Sequence, residues 1–274
     1  DVYAPLVDNI AKEYSYEEAK EIVINALKPL GEDYIKNLTY LFDNNCIDVY
    51  HNKNKRSGAY SWGSYDTMPY VLLNFEGEFN DVSTIAHELG HSMHSLYSNK
   101  NRPYHDHGYP IFLAEIASTV NEILLNKYCS ENAKTKEEKA YYLNNLLEMF
   151  RSTLIRQTMF AEFELKIHDL EEEESLTEEL ISNTYYEINK KYFGEDVISD
   201  DEIKVEWARI PHFYTSFYVF KYATGISAAA KIAGDILEKK EGALENYIEF
   251  LSSGGSDYPL EILKKVGIDM TNDD

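Results

Sequence analysis

Ile85-Ala86-His87-Glu88-Leu89-Gly90-His91 is the stretch from which the rest of the chain is read. It contains no proline, and Ile85, Ala86 and Leu89 supply an apolar stripe, so its period is helical. The expected helix spans Thr84 to Ser98, with Asp81 or Ser83 as N-cap. On a helix four residues advance about 400°, which puts both imidazoles on one face roughly 6 Å apart along the axis. Working outward, the same helical period covers Tyr16 to Leu27 and Asp33 to Phe42 on one side. On the other it covers Ile111 to Tyr128 and a long stretch from Lys136 to Leu170. Ser175 with Glu178 forms a capping box that starts a helix ending near Gly194. Helices are also expected at Glu202 to Ile210, Tyr214 to Lys240 with Gly225 inside it, and Ala243 to Leu251. Between Cys46 and Phe79 the texture changes, with Gly58, Gly63, Pro69 and Gly77 punctuating a short strand-like run from Tyr70 to Phe75. The expectation is a mainly α fold with a small β region beside the His87–His91 helix, in one domain over 1–274.

Two imidazoles at this spacing can grip one zinc ion at about 2.0–2.1 Å each. Glu88 lies about 100° round the helix, poorly placed to ligate but able to take a proton from a water that the metal activates. With 8 His in 274 residues, composition alone yields only about 0.03 such matches per chain, and the motif also has the helical context it requires. A catalytic zinc keeps three protein ligands and one open position. Glu115 is the third candidate, a lone carboxylate in Phe112-Leu113-Ala114-Glu115-Ile116-Ala117-Ser118, where burial without a partner is costly. Gly90 is expected to leave room near the metal. Glu122, two turns beyond Glu115, has two readings: a carboxylate that orients a ligand histidine, or an ordinary exposed one. His94 is assigned to packing or hydrogen bonding. His105 and His107, flanking Asp106, are assigned to a solvated loop rather than a second metal site.

Composition narrows the partners. Lysine plus arginine total 26 against 48 aspartates plus glutamates, a net charge of −22. Such a surface repels phosphate backbones and anionic membranes, which disfavours both as partners. There is no run of 18 apolar residues and no visible signal peptide. Two cysteines, Cys46 and Cys129, suit a reducing compartment, so a cytoplasmic location is expected. The acidic run Glu171-Glu172-Glu173-Glu174 reads as a solvated turn, and Ser252-Ser253-Gly254-Gly255-Ser256 as a flexible segment.

The late stretch Ile210-Pro211-His212-Phe213-Tyr214-Thr215-Ser216-Phe217-Tyr218-Val219-Phe220-Lys221-Tyr222 has tyrosines at every fourth position. On a helix Tyr214, Tyr218 and Tyr222 share a face. Phenol and imidazole donors can hold the oxyanion of amide hydrolysis, and His212 and Tyr218 are the candidates; an aromatic packing stripe is the other reading.

Taken together these residues resemble the oligoendopeptidase F group of the M3 zinc metallopeptidases. The likeness rests on His87-Glu88-Leu89-Gly90-His91-Ser92-Met93-His94, Ile111 to Ser118, and Ile210 to Tyr214. It extends to Arg56-Ser57-Gly58-Ala59-Tyr60, Leu72-Leu73-Asn74-Phe75 and Ser253 to Ser256. It implies a helical zincin-type catalytic domain with one Zn2+ per chain on His87, His91 and Glu115, and Glu88 as general base. It also implies a late histidine and tyrosine as transition-state donors, for which His212 and Tyr218 fit, with Tyr214 and Tyr222 as rivals. The substrates implied are oligopeptides. Members of the group are about twice this length, and the chain opens Asp1-Val2-Tyr3 without a methionine. The expectation is the C-terminal catalytic half of a longer peptidase whose N-terminal half is missing here. The peptide is expected to lie extended along Val71 to Phe75, paired with an exposed edge.

Two rival readings remain at this stage. A zinc carboxypeptidase or dipeptidyl carboxypeptidase needs a cation for the terminal carboxylate, and Arg102, Arg156 and Arg209 are unplaced. A peptide-binding module with structural zinc would close the fourth metal position.

Overall fold

The structure is a computed structural model that describes residues 6–7 and 12–271. The opening segment Asp1 to Pro5, on which the reading of a missing half drew, lies outside the described residues. The elements in chain order are α1 (Tyr16–Ala26), α2 (Glu32–Asp43), β1 (Ile47–Asp48), β2 (Tyr60–Trp62), β3 (Tyr70–Leu72), α3 (Phe79–Asn101) and α4 (Ile111–Glu131). They continue with α5 (Lys136–Phe150), α6 (Arg156–Glu173), α7 (Glu178–Phe193), α8 (Phe220–Leu237), α9 (Ala243–Leu251) and α10 (Pro259–Lys265). The fold is mainly helical with one small sheet, as expected. The residues gather into two compact units, one built from Leu147–Thr224 and the other from the described parts of Val7–Leu146 and Gly225–Asp274.

The larger unit is organised by α3 and α4. Their apolar faces bury Ile85, Ala86, Leu89, Met93, Ile116, Ala117 and Val120. The α3 helix begins at Phe79 rather than Thr84, because Asp81 acts inside the first turn. Its Oδ2 accepts from the backbone N–H groups of Glu76, Gly77 and Glu78 at 3.0, 2.8 and 2.9 Å, meeting donors that a helix start leaves unpaired. Fully buried Asn121 stitches three helices together. Its Nδ2 donates to the Ala86 carbonyl at 2.9 Å, and its Oδ1 accepts from Tyr34 on α2 at 3.0 Å.

The sheet has the order β1-β3-β2. β1 pairs parallel to β3 with Ile47 opposite Val71, and β2 pairs antiparallel to it with Ser61 opposite Val71. This corrects the expected substrate edge: β3 is the central strand, and both of its edges are taken. The Ser252 to Ser256 segment is held rather than free. Gly255 N–H donates to Asp106 O at 2.8 Å, and Arg102 Nε donates to Ser252 O at 2.9 Å. Gly254 sits at φ 52°, where a Cβ would come within 2.5 Å of Asp106 O, so no larger residue fits there.

The smaller unit packs Met159, Phe160 and Phe163 of α6 against Tyr185 and Ile188 of α7, with Ile210 and Val219. The expected Lys136–Leu170 helix is interrupted by a wider π turn at Arg151–Ile155, a device no period count detects. The α7 helix is capped by Thr177, which accepts from Leu180 N–H at 3.2 Å, rather than by Ser175. Asp201–Arg209 winds as tighter 3₁₀ turns. Buried Glu206 there accepts from Arg156 at 2.5 Å and also from Tyr185 and Arg209. Burial by itself raises the Glu206 pKa, but the bonds from Tyr185 and Arg156 outweigh it and hold it below the usual carboxylate range. Its stabilisation is therefore present above the ordinary carboxylate pKa and is lost as pH falls through the lowered folded value. Glu206→Ala removes the buried carboxylate that Arg156, Tyr185 and Arg209 share and is expected to cost the smaller unit about 3–5 kcal/mol, measured by urea unfolding at neutral pH.

Candidate metal centre

The α3–α4 pair brings His87, His91 and Glu115 to one point. His87 Nε2 and His91 Nε2 are 3.2 Å apart, and Glu115 Oε2 is 3.4 Å from the first and 3.6 Å from the second. A tetrahedral ion with ligands at about 2.0–2.1 Å has ligand edges of about 3.3–3.4 Å, so this triangle fits one zinc with a fourth position left over. Two nitrogens and one carboxylate oxygen also suit that ion. No second group of this kind occurs among the described residues. His105 instead lies beside its neighbour Asp106, 3.4 Å away and mostly exposed.

Neighbouring side chains set the orientation of the ligands. Glu122 Oε2 lies 3.1 Å from His87 Nδ1, so the orienting reading applies and the Nε2 of His87 is turned towards the metal position. Ser83 Oγ donates to the other Glu122 oxygen at 3.3 Å. Ser118 Oγ is 3.2 Å from Glu115 Oε2. Removing such a partner typically costs about 10- to 100-fold in metal affinity. Glu122→Ala is expected to lose zinc by that factor, read by competition with a chromogenic chelator.

Charge is concentrated here. Burial lowers the basicity of His87, but its bonds to Glu115 and Glu122 outweigh that and carry its pKa up to about 10. His91 is driven down to about 4, by burial first and then by the His87 charge. Burial also raises the Glu88 pKa, with Glu115 and Glu122 adding to it. Three carboxylates thus surround two imidazoles, a charge balance that a divalent cation completes. Ser61 Oγ meets Ser92 Oγ at 2.8 Å, and Ser92 Oγ donates to the Glu88 carbonyl at 2.9 Å. The β2 strand is thereby tied to α3 beside the candidate base. The sequence reading passed over Ser61 and Ser92; nothing in their spacing marks them.

Gly90 does not open space at the metal, as the sequence suggested. A Cβ there would lie 2.5 Å from Ser118 Cα and 2.7 Å from Ala117 O. The missing side chain admits the α4 backbone, which is what allows Glu115 to approach α3. His94 is completely buried, its ring stacked 3.6 Å from that of Tyr109 at an interplanar angle of 3°. Among the described residues neither of its ring nitrogens has a hydrogen-bond partner, and burial pushes its pKa down to about 3. Its role is packing.

In the smaller unit, His212 and two of the tyrosines form a cluster of their own. The Tyr218 and His212 rings stack at 5.2 Å, and Tyr222 Oη lies 3.3 Å from His212 Nε2. Tyr214 turns away and donates to Ala208 O at 3.1 Å. The expected common helix face does not form, because α8 starts only at Phe220. Phe217 sits at φ 54°, and its N–H donates to Oε1 of buried Glu164 at 2.7 Å, while Val219 is drawn into the core. The three unplaced arginines are engaged elsewhere, Arg102 on Ser252 O and Arg156 and Arg209 on Glu206.

Comparison with known proteins places this geometry in context. The family model described as Peptidase family M3 matches residues 1–274. Oligopeptidase PepF of Bacillus subtilis is 50% identical over 99% of this chain and 41% of its own length. The chromosomal oligoendopeptidase F of Lactococcus lactis subsp. cremoris is 44% identical over the whole chain and 46% of its own length. Among solved structures, an oligoendopeptidase-F from Enterococcus faecium superposes with a TM-score of 0.70 at 38% identity, covering 96% of this chain and 43% of that one. A chain from Chlamydophila abortus reaches a TM-score of 0.91 at 51% identity, over 99% of this chain and 46% of that one. This chain therefore spans about half the length of the curated relatives it matches. Among the described residues no helix is long and apolar enough to cross a membrane.

Proposed function

The chain belongs to peptidase family M3, and from that premise we propose that it is the catalytic part of a zinc-dependent endopeptidase that hydrolyses oligopeptides. The observation that carries the proposal is the His87, His91 and Glu115 triangle, with Glu88 held beside it. Bound zinc would supply Lewis acidity, polarising the scissile carbonyl and lowering the pKa of a water. His87, His91 and Glu115 would hold it, and Glu122 would fix the His87 tautomer through Nδ1.

The proton work falls to Glu88. Its carboxylate is buried, with its pKa raised by that burial, which makes it a stronger base than an exposed glutamate. It takes the proton of the attacking water and hands it to the departing amine nitrogen. To His212 and Tyr218 we assign hydrogen-bond donation to the oxyanion. Loss of one such donor typically costs about 10²–10³ in turnover. Tyr222, on the same imidazole, is the rival of Tyr218, and Tyr214, bound to a backbone carbonyl, is the weaker one. The peptide is assigned to the free edge of β2, since β3 has none. A cytoplasmic location and one catalytic domain over 1–274 remain part of this reading.

Stripping the protein with a chelator and titrating zinc back, while following a quenched oligopeptide, tests the proposal. Activity is expected to rise to a plateau at one zinc per chain. The same peptide with an amidated C-terminus should be cleaved within about twofold of the free acid, because an internal bond needs no terminal carboxylate. A strict need for the free carboxylate would indicate a carboxypeptidase. Stoichiometric zinc without any cleavage would leave only peptide binding.

A further inference from the structure

We propose that the outward face of β2 and β3, carrying Tyr60, Trp62 and Tyr70, receives aromatic and large aliphatic side chains of a peptide laid against the free edge of β2, and so sets side-chain preference. This rests on the peptidase reading above. The face is unusually apolar for open surface: Trp62 is 76% exposed, Tyr70 56% and Tyr60 49%. The register places Trp62 directly opposite Tyr70, and Tyr60 opposite Leu72. Successive strand residues alternate faces. Ser61 and Val71 point the other way, Val71 buried and Ser61 bonded to Ser92 on α3. One face of the strand pair is thus tied to the metal-bearing helix, and the other presents a row of large rings.

The hydrogen-bond parity of the strands fixes which side chains of an added strand meet this face. Val71 and Leu73 spend their N–H groups on β1, donating to Cys46 O and Asp48 O at 2.8 Å each. Alternate residues address opposite edges, so Tyr70 and Leu72 turn to β2, and their partners Trp62 and Tyr60 turn back to β3. Ser61 then directs its backbone groups to the free edge, while its Oγ bonds to Ser92, one turn beyond Glu88. A peptide strand added at that edge meets β2 beside the candidate base. Its residues opposite Tyr60 and Trp62 project onto the aromatic face as direct cross-strand neighbours. Pairs of this kind favour aromatic and β-branched partners. Residues opposite Ser61 project towards α3.

The test uses the zinc-loaded chain and quenched peptide pairs that differ only by Phe or Gly, scanned through the positions flanking the scissile bond. A Phe-over-Gly preference in kcat/KM of about fivefold to tenfold is expected at alternate positions. In a Tyr60→Thr, Trp62→Ala variant of matched zinc content the ratio should fall towards one. A second readout does not depend on turnover. The chain has two tryptophans, Trp62 and Trp207, so in a Trp207→Phe, Glu88→Gln background the emission of Trp62 reports this face alone. It should shift on titration with the Phe peptide and much less with the Gly peptide. Cleavage with an unchanged ratio in the variant overturns the face while leaving the peptidase reading intact. Absence of any cleavage sinks the peptidase reading, and a Trp62 signal indifferent to peptide sinks the face independently. A shift on concentration alone, accompanied by dimers in sedimentation, would assign the face to self-association and also overturn the proposal.

Discussion

Glu88→Gln is expected to keep one zinc per chain while losing about 10²–10⁴ in the rate of peptide hydrolysis, the range typical of a lost general base. The two parts of the result have different physical origins. The metal is assigned to His87, His91 and Glu115, whose ligand atoms lie 3.2–3.6 Å apart without any contribution from Glu88. Glutamine has the same shape and keeps an oxygen acceptor, and Ser61 is held to α3 through Ser92, so β2 and α3 have no reason to separate. What disappears is the ability to bind a proton. Zinc content by atomic emission and single-turnover cleavage of a quenched peptide separate the two effects. Full activity in this variant would remove Glu88 from the mechanism. Parallel loss of zinc and activity would move it among the ligands.

Gly90→Ala is expected to be the most damaging single-methyl change at the site, costing about 3 kcal/mol or more and at least tenfold in zinc affinity. The new Cβ would meet Ser118 Cα at 2.5 Å, Ala117 O at 2.7 Å and Ser118 N at 2.8 Å. All three are backbone atoms within a helix, which cannot rotate aside as a side-chain end can. The α4 helix must retreat as a unit, taking with it Glu115, one turn before Ser118. Gly234→Ala on α8 is the control, because among the described residues no atom outside its own stretch of helix lies within 4 Å of its Cβ position. There the methyl should be neutral or stabilise by up to about 1 kcal/mol through lower backbone entropy in the unfolded chain. Thermal melts of both variants, with and without zinc, check the pair. Equal behaviour would show that the helix contact at Gly90 gives way easily and does not position the ligand.

Much of the chain is legible in one dimension because its information is local. The helices α1, α2, α4 and α9 follow a periodicity set by neighbours three and four residues away, and the observed ends lie within a few residues of those expected. The metal pair is equally local, since His87 and His91 share one turn of one helix. Glu115 could be found 24 residues later because a solitary carboxylate amid Leu113, Ala114 and Ile116 has little reason to be there unless something compensates its charge. The misreadings share the opposite property. The period-four tyrosines suggested one helix from Tyr214, but a carboxylate 53 residues earlier in sequence, Glu164, takes the Phe217 N–H and starts α8 later. The run Tyr70 to Phe75 reads as strand-like and forms a strand over Tyr70–Leu72, yet its edge was assigned wrongly, because pairing on both sides comes from Ile47–Asp48 and Tyr60–Trp62.

Sequence alone determined the helical character of the protein, the helix of the candidate metal pair and the identity of the third ligand candidate, because spacing along a helix is spacing in space. Tertiary structure alone decided that Gly90 is a contact between helices, that Glu122 supports His87 and that β2 supplies the open edge. Those depend on distances between segments that the chain brings together only when it buries its apolar faces, and no local period encodes such distances.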